Sequence, residues 1–151
     1  MSRAPVSAWW KAQELLARRA HGSQELRRKL KERNYPEAEV EAAMGRLRNA
    51  GLLDDAAFAR SLVEELFFRR GYGINAIVMR LRQKGLAPEL CESAGKQFFC
   101  ELDQTEIDTV ITRLIERRRA HEEDRNRLFA WLKRRGFRSD EIIRALQSRT
   151  S

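Results

Sequence analysis

Few residues of this sequence could do acid–base, nucleophilic or metal chemistry, and they form no catalytic pattern. The two histidines, His21 and His121, each follow an Arg-Arg-Ala triplet just before a predicted helix, a turn position that needs no chemistry. The sequence also lacks a glycine-rich phosphate loop, a metal-ligand cluster and a recognisable Ser, His and Asp arrangement. We therefore expect a protein that is not an enzyme and that holds no cofactor or metal.

The two cysteines, Cys91 and Cys100, favour no redox role. They fall in one predicted helical region, where a spacing of nine residues separates them by about 13 Å, too far for a disulfide. Two histidines and two cysteines at these spacings also match no zinc pattern. Cys91 lies on an apolar register, so we expect it to be a small buried hydrophobic residue.

The basic residues carry a more informative pattern, because a cation recurs at one position. Lys31, Arg82 and Lys133 are 51 residues apart. On a helical wheel Lys31 falls about 140° from the apolar residue Leu26, which points it away from a core. Regularly spaced positive charge suits a polyanionic or filamentous partner. With the neighbouring basic residues, the candidates for binding DNA or a protein partner are Arg18, Arg19, Arg28, Lys31, Arg69, Arg70, Arg82, Arg117, Arg118, Arg119, Lys133 and Arg134.

Structural roles compete with binding for the basic and aromatic residues. Arg33, Lys84 and Arg135 lie in the last turn of a predicted helix, where any helix favours cations, so there we prefer the structural interpretation. Solvated helix faces also carry Lys and Arg routinely, which leaves both interpretations open for the recurring cations. Aromatic rings could stack on bases, but on amphipathic helices we expect them in the core. The tryptophans concerned are Trp9, Trp10 and Trp131.

The composition fits a soluble, helix-rich protein whose length suits one domain. The chain has 151 residues, of which 42% are hydrophobic and 34% charged, with 8 Gly and 3 Pro. No window approaches the roughly 18 apolar residues of a membrane span, and the N-terminal residues lack the apolar stretch of a signal peptide, so we expect a cytoplasmic protein without membrane contact. The net charge of +8 favours phosphate-bearing or acidic partners. It is distributed as +5 in residues 1–53, −1 in residues 54–104 and +4 in residues 105–151.

The elements that must position these residues are repeated. One six-residue string, the same in chemical type, recurs every 51 residues: Leu30–Tyr35, Leu81–Leu86 and Leu132–Phe137. Its fifth residue is Asn34, Gly85 or Gly136, types that tolerate a left-handed conformation, and the apolar residue that follows can pack back on the leucine that begins the string. The string therefore predicts a Schellman-type helix end that is used three times.

Each repeat contains three predicted amphipathic helices, because apolar stripes lie before and after each helix end. We place the repeats at residues 1–53, 54–102 and 103–151. Candidate helix starts agree with this division: Asp54, Asp103 with Glu106 as a capping box, and Ser139. The third repeat carries about two extra residues around residues 119–124, which predicts a longer turn. No stretch alternates polar and apolar residues long enough for a strand, so we predict an all-α fold of three tandem three-helix repeats in an elongated, curved array.

Four signatures of the chain are similar to those of a known family. They are His21–Leu30; Gly51–Asp55 with Phe58–Arg60; Arg70–Gly73 with Ile77, Leu81 and Lys84–Leu86; and Leu132–Phe137. In this order and spacing, from about Lys11 to Leu146, the chain resembles the RecX regulatory proteins. It departs from the family pattern at Gly22, where the family usually has Ser directly after the His, and Ser23 stands one place later. The third repeat is the least family-like before Leu132.

The resemblance implies tandem three-helix repeats and a regulatory function. RecX proteins are bacterial modulators, usually inhibitors, of the RecA recombinase in DNA repair, recombination and the SOS response. They bind in or along the groove of the RecA filament on single-stranded DNA and hinder filament growth, strand exchange, ATP hydrolysis and coprotease action. The resemblance therefore implies the RecA filament and single-stranded DNA as partners, and we expect this chain to be a monomer.

Two other functions stay open on the residues alone. One is a stand-alone DNA-binding module, since short helix pairs with basic faces also describe helix-turn-helix proteins. The second helix of each repeat of this chain, however, is rich in Lys and Arg and poor in Asn and Gln, and this composition does not favour the reading of base sequence. The other is a helical adaptor with no DNA role.

Overall fold

The computed structural model describes residues 6–118 and 124–150, and these residues form helices and turns without strands, which confirms the all-α prediction. In chain order the described helices are α1 (Ala8–Arg18), α2 (Ser23–Glu32), α3 (Glu37–Asn49), α4 (Asp55–Glu64), α5 (Ile74–Gln83), α6 (Pro88–Glu101), α7 (Gln104–Arg117), α8 (Arg125–Arg134) and α9 (Ser139–Arg149). A π-helical turn, Glu65–Arg69, continues α4. Arg119, His121 and most of the predicted longer turn lie outside the described residues.

The three predicted helix ends are Schellman motifs. Asn34, Gly85 and Gly136 have φ angles of 65°, 83° and 98°, in the left-handed region that asparagine and glycine tolerate. In each motif the N–H of the next residue donates to the carbonyl five residues earlier: Tyr35 to Leu30 at 3.4 Å, Leu86 to Leu81 at 3.4 Å and Phe137 to Leu132 at 3.2 Å. The chain therefore turns back sharply, and the second and third helices of each repeat pack against each other.

Two of the three predicted helix starts are confirmed. The Asp54 carboxylate accepts a backbone N–H in the first turn of α4 at 3.1 Å, and Asp103 forms the predicted capping box before α7. The prediction for Ser139 is wrong, because Ser139 is the first residue of α9 and Arg138 is the residue that precedes the helix. The Glu141 carboxylate, inside the helix, accepts the Arg138 N–H at 3.2 Å, so a different hydrogen bond from the predicted serine cap helps to fix this helix start.

The helices pack in three consecutive groups, which we call module 1 (α1–α3), module 2 (α4–α6) and module 3 (α7–α9). In each module the third helix packs against the first and the second. Module 1 has its own hydrophobic core, built around residues such as Leu26, Leu30 and Val40. Modules 2 and 3 share one continuous core, which runs from Ala59 on α4 to Leu146 on α9. The three similar repeats are therefore joined in two different ways.

Adjacent modules dock at equivalent positions of the repeat, and modules 2 and 3 meet more closely than modules 1 and 2. A Cβ added to Gly85 of module 2 would lie 3.2 Å from the Cβ of Gln24, near the start of α2 in module 1. A Cβ added to Gly136 of module 3 would lie 2.4 Å from the backbone nitrogen of Ala76, near the start of α5 in module 2. The left-handed helix end of each later module thus rests on the second helix of the module before it.

The modules form an extended arrangement. The accessible surface is 9764 Å², whereas a compact protein of 17.6 kDa has roughly 7900 Å². A chain divided into small modules buries less surface than one with a single central core, in keeping with this excess.

Candidate partner-binding surface

The recurring cation occupies the solvent side of the second helix in every module. Lys31 on α2, Arg82 on α5 and Lys133 on α8 are exposed, whereas the leucine immediately before each of them is fully buried. This follows from helix geometry, since neighbouring residues differ by about 100° around the axis. Arg134 is also exposed, beside Lys133. Because adjacent modules dock at equivalent positions of the repeat, the cation recurs from module to module.

Two of the recurring cations pair with a carboxylate on the next helix of their own module. The Nζ of Lys31 lies 3.8 Å from the Oε1 of Glu37, and the Nη2 of Arg82 lies 2.8 Å from the Oε1 of Glu92. About half of each basic side chain faces solvent, and such exposed pairs contribute at most about 1 kcal/mol to stability. A partner that offers a stronger anion can therefore replace these carboxylates at small cost.

The arginine pair that ends α1 is divided between solvent and an internal ion pair. Arg18 is exposed and pairs with Glu14, one turn earlier, at 3.1 Å. The Arg19 guanidinium instead holds the buried Glu25 carboxylate, and this hydrogen bond raises the pKa of Arg19. Burial raises the pKa of Glu25, but the hydrogen bond from Arg19 and the nearby charges of Arg19, His21 and Lys29 together lower it further, so the net pKa is lowered. Arg19 therefore has a structural role as the partner of a buried charge.

The other predicted arginine pairs lie where helices end. Arg69 and Arg70 close the π-helical turn after α4, and both are exposed. Arg117 and Arg118 close α7, and the Arg118 guanidinium lies 4.5 Å from the centre of the Trp131 ring. The structure therefore spreads the predicted cations over all three modules and does not gather them at one point.

The tryptophans lie nearer the surface than predicted. Trp10 is 59% exposed, which contradicts its expected place in the core. It directly follows Trp9, and two adjacent helical residues cannot both lie at the centre of one apolar face. Trp9 and Trp131 are half-buried at the edges of the two cores. The Arg46 guanidinium covers the Trp9 ring at 3.9 Å.

Arg135 makes contacts that helix-end electrostatics did not predict. Its Nε donates to the carbonyl of Gly71 at 3.0 Å, and its Nη2 donates to the carbonyl of Arg70, both in module 2. The guanidinium also lies 4.6 Å from the centre of the Tyr72 ring. Burial lowers the pKa of Arg135. Arg135 therefore clamps module 3 to module 2, and nothing in the sequence separates it from Lys84, its equivalent one repeat earlier.

A cleft of about 480 Å³ lies between modules 1 and 2. Arg28 from α2, Arg80 from α5 and Lys84 at the end of α5 line it. Sequence reasoning placed only Arg28 among the binding residues. Arg80 and Lys84 join it through the docking of the two modules, for which the repeat pattern carries no signal.

The buried His21 and Cys91 side chains serve structure. His21 is buried, with its Nδ1 at 2.8 Å from the carbonyl oxygen of Arg19 and its Nε2 at 2.8 Å from the Nζ of Lys29, and burial lowers its pKa. Cys91 is buried as predicted, and burial raises the pKa of its thiol. Across residues 6–118 and 124–150, no three His, Cys, Asp or Glu side chains are grouped to hold a metal ion. None of the helices in that part of the chain combines the length and apolar character needed to span a bilayer.

Family models of RecX match the first two modules. The model of the first three-helix domain matches residues 8–47, and the model of the second three-helix domain matches residues 54–94. The chain is 34% identical over 138 residues to "Regulatory protein RecX" of Pseudomonas fluorescens, covering 91% of this chain and 88% of that protein. It is 37% identical over 126 residues to "Regulatory protein RecX" of Thermus thermophilus, covering 83% and 80%.

Solved structures extend the similarity over the third module. The crystal structure of RecX from Lactobacillus salivarius superposes with a TM-score of 0.78 at 21% identity, covering 93% of both chains, which is a likeness of fold. A second crystal structure, of regulatory protein RecX, superposes with a TM-score of 0.75 at 27% identity, covering 93% of this chain and 71% of that one.

Proposed function

The chain belongs to the RecX family of regulatory proteins, and from this membership we propose that it binds the filament that RecA forms on single-stranded DNA. In this proposal it inhibits or modulates the recombinase, ATPase and coprotease activities of RecA. Its similar relatives are named regulatory proteins, in keeping with a role that acts on another protein's reaction.

One observation carries the proposal most directly: each module presents an exposed cation at the same position of its second helix. These are Lys31, Arg82 and Lys133. A filament of protein on nucleic acid is itself a repeating polyanion, so a repeating array of cations can meet it at several points at once. Contacts that are individually weak then reinforce one another, because after the first one forms the others are held at high effective concentration.

The DNA-dependent ATPase of RecA tests the function. Purified protein is added at substoichiometric and at stoichiometric ratios to RecA on single-stranded DNA, and ATP hydrolysis is followed. We expect the rate to fall as the protein is added. An unchanged rate at both ratios would refute the proposal.

A charge-reversed variant tests the recurring cations. In the triple variant Lys31→Glu, Arg82→Glu and Lys133→Glu we expect weaker binding to the RecA–DNA filament, with helical content kept because the side chains are exposed. Melting temperature should fall only modestly, through reversed charges in the last turn of each helix. The matched control changes net charge equally at three exposed cations outside the predicted set: Arg60→Glu, Lys96→Glu and Arg149→Glu. If both variants inhibit RecA as the unaltered protein does, the recurring cations are not the contact.

Binding measured on bare single-stranded DNA and on DNA coated with RecA separates the competing functions. A filament regulator binds the coated DNA and slows RecA. A stand-alone DNA-binding module binds bare DNA without affecting RecA, and an adaptor without a DNA role binds neither substrate.

A further inference from the structure

We propose that the cleft between modules 1 and 2 binds the phosphate backbone of single-stranded DNA and holds one nucleotide unit of the strand. This inference deepens the proposed function, since it assigns the DNA strand of the filament to a particular site. The volume of about 480 Å³ lies in the range of small-ligand pockets, roughly 300–1,000 Å³.

The cleft has an excess of positive charge. Three cations line it, Arg28, Arg80 and Lys84, against one carboxylate, that of Glu25. The Glu25 carboxylate is already taken, because Arg19 binds it and the Nζ of Lys29 lies 3.6 Å from it. The lining therefore offers an anion a field that no acidic side chain within it cancels.

The cations of the cleft have few partners of their own. Among residues 6–118 and 124–150, no carboxylate oxygen lies within 4.0 Å of the charged nitrogens of Arg80 or Lys84. The Nε of Arg28 is 3.7 Å from Glu32, and both of those side chains are about two-thirds exposed. An incoming phosphate would displace one weak, solvated contact.

Arg80 is held in place before any ligand arrives. Its guanidinium stacks on the Tyr72 ring at 3.9 Å from the centroid, which limits its rotamers while leaving its N–H groups available. The backbone of Lys84 is also restrained, because its carbonyl oxygen lies against Gly22 of module 1, where an added Cβ would come within 3.1 Å, and this contact fixes where the exposed lysine side chain begins. Binding therefore orders the Arg80 side chain less than it would order a flexible surface cation.

The lysine that lines this cleft has a different counterpart at the next junction. Between modules 2 and 3 the residue equivalent to Lys84 is Arg135, whose guanidinium bonds to the carbonyls of Gly71 and Arg70. Those bonds commit its donors to module docking. Lys84 makes no such clamp, so its charge is left to face the cleft.

The chemistry of the lining favours a nucleotide over an acidic peptide side chain. A single carboxylate is satisfied by one guanidinium, whereas a phosphodiester accepts donors from several directions, which suits two arginines and a lysine together with the amides of Gln24 and Gln83. Leu62 and Leu66 add an apolar wall that can take up the sugar. Such contacts carry no sequence information, so binding should be independent of base sequence.

The test uses a fluorescent oligothymidylate and a cleft variant, Arg28→Gln with Lys84→Gln, which leaves the Arg80–Tyr72 stack intact. The control is Arg60→Gln with Lys96→Gln, two exposed cations outside the cleft. Affinity is measured by anisotropy at several salt concentrations. We expect the cleft variant to bind at least tenfold more weakly and to lose about 1.4 from the slope of log affinity against log salt, since each phosphate contact on single strands contributes about 0.7. The control should match the unaltered protein.

Equal loss in the two variants would overturn the proposal, because it would show that charge acts without regard to position. Loss confined to RecA-coated DNA, with bare DNA bound normally, would also overturn it and would assign the cleft to an acidic protein surface. The RecA ATPase assay keeps the two proposals apart. Protein that slows RecA but does not bind bare DNA refutes the cleft proposal alone, and protein that binds DNA through the cleft without affecting RecA refutes the proposed function alone.

Discussion

Replacing Gly73 with alanine should separate module 3 from module 2. Gly73 precedes α5 with a φ of −81°, which alanine adopts without strain, so the effect of the substitution comes from space alone. An added Cβ would lie 2.3 Å from the carbonyl carbon of Gly136 and 2.3 Å from the nitrogen of Phe137. Both are backbone atoms in a Schellman motif, so neither can move aside without shifting the helix end.

The expected loss of stability follows from the contacts between modules 2 and 3 that the added methyl group disrupts. Two backbone hydrogen bonds cross this contact, from Gly73 N to the carbonyl of Arg135 at 2.9 Å and from Asn75 N to the carbonyl of Gly136 at 3.2 Å. Losing them costs about 0.5–1.5 kcal/mol each, and overpacking adds about 1–3 kcal/mol. Alanine recovers about 0.4–1 kcal/mol by restricting the unfolded chain. Together these contributions lead us to expect that Gly73→Ala lowers the free energy of unfolding by about 1–6 kcal/mol, and Tm by roughly 2–20 °C.

Two glycines provide matched controls. Gly22 is the equivalent of Gly73 one repeat earlier, but the tightest contact of its added Cβ would be with the Lys84 carbonyl oxygen at 3.1 Å, and its next contacts, with side chains of Leu86 and Phe58, are at 3.4 Å and 3.6 Å. Gly22→Ala should therefore cost no more than about 1 kcal/mol. Gly45 on α3 has nothing within 4 Å, so Gly45→Ala should stabilise the protein by about 0.5–1 kcal/mol. Urea and thermal unfolding followed by circular dichroism measure all three. If the free energy of unfolding of Gly73→Ala lies within about 0.5 kcal/mol of that of the unaltered protein, modules 2 and 3 do not make this close contact.

The remaining predictions concern the clamp, the cores and the buried histidine. Arg135→Lys should lower the free energy of unfolding by about 1–3 kcal/mol, because an ammonium cannot reproduce the pair of hydrogen bonds that the guanidinium donates to two carbonyls of module 2. In the same urea titration the free energy of unfolding of Lys84→Ala should stay within about 0.5 kcal/mol of that of the unaltered protein. Leu30→Ala and Leu132→Ala should each lower the free energy of unfolding by about 2–5 kcal/mol. Hydrogen exchange should distinguish them, because modules 2 and 3 share a core that module 1 does not. Backbone amides should lose protection only in α1–α3 for Leu30→Ala, and across α4–α9 for Leu132→Ala. Burial lowers the pKa of His21 below its ordinary value of 6.5, so the unfolded chain binds the proton more tightly and Tm should fall as pH drops below that value. A His21→Asn variant should show a smaller fall, and an equal fall would assign the pH dependence to other groups.

Much of the fold could be predicted because its signals are local. The left-handed residues Asn34, Gly85 and Gly136 end helices through hydrogen bonds within six residues, so the string alone contains the cause of the turn. The same holds for the Asp54 cap, where donor and acceptor are three residues apart. Exposure of the recurring cations also followed from the helical period, whereas Trp10 was misplaced because an amphipathic helix buries only part of its aromatic residues.

The binding surface could be predicted only in part. The recurring cations were found through the repeat, but the contribution of Arg80 and Lys84 to the cleft depends on how module 2 docks on module 1. Likewise, the role of Arg19 depends on a carboxylate that folding buries six residues away along the chain. Residue type and spacing do not specify such contacts, because they arise between side chains that different elements bring together.

The sequence by itself therefore determined the all-helical fold, the three helix ends and an exposed cation on the second helix of every repeat. Each of these depends on residues within a turn or two of one another. Only the tertiary structure decided which modules share a core. It also decided that Arg135 joins module 3 to module 2, whereas Lys84 lines a charged cleft between modules 1 and 2. The physical reason is that docking depends on whether two backbones can meet closely, as Gly73 and Gly136 do, and two repeats with the same pattern can differ in that respect.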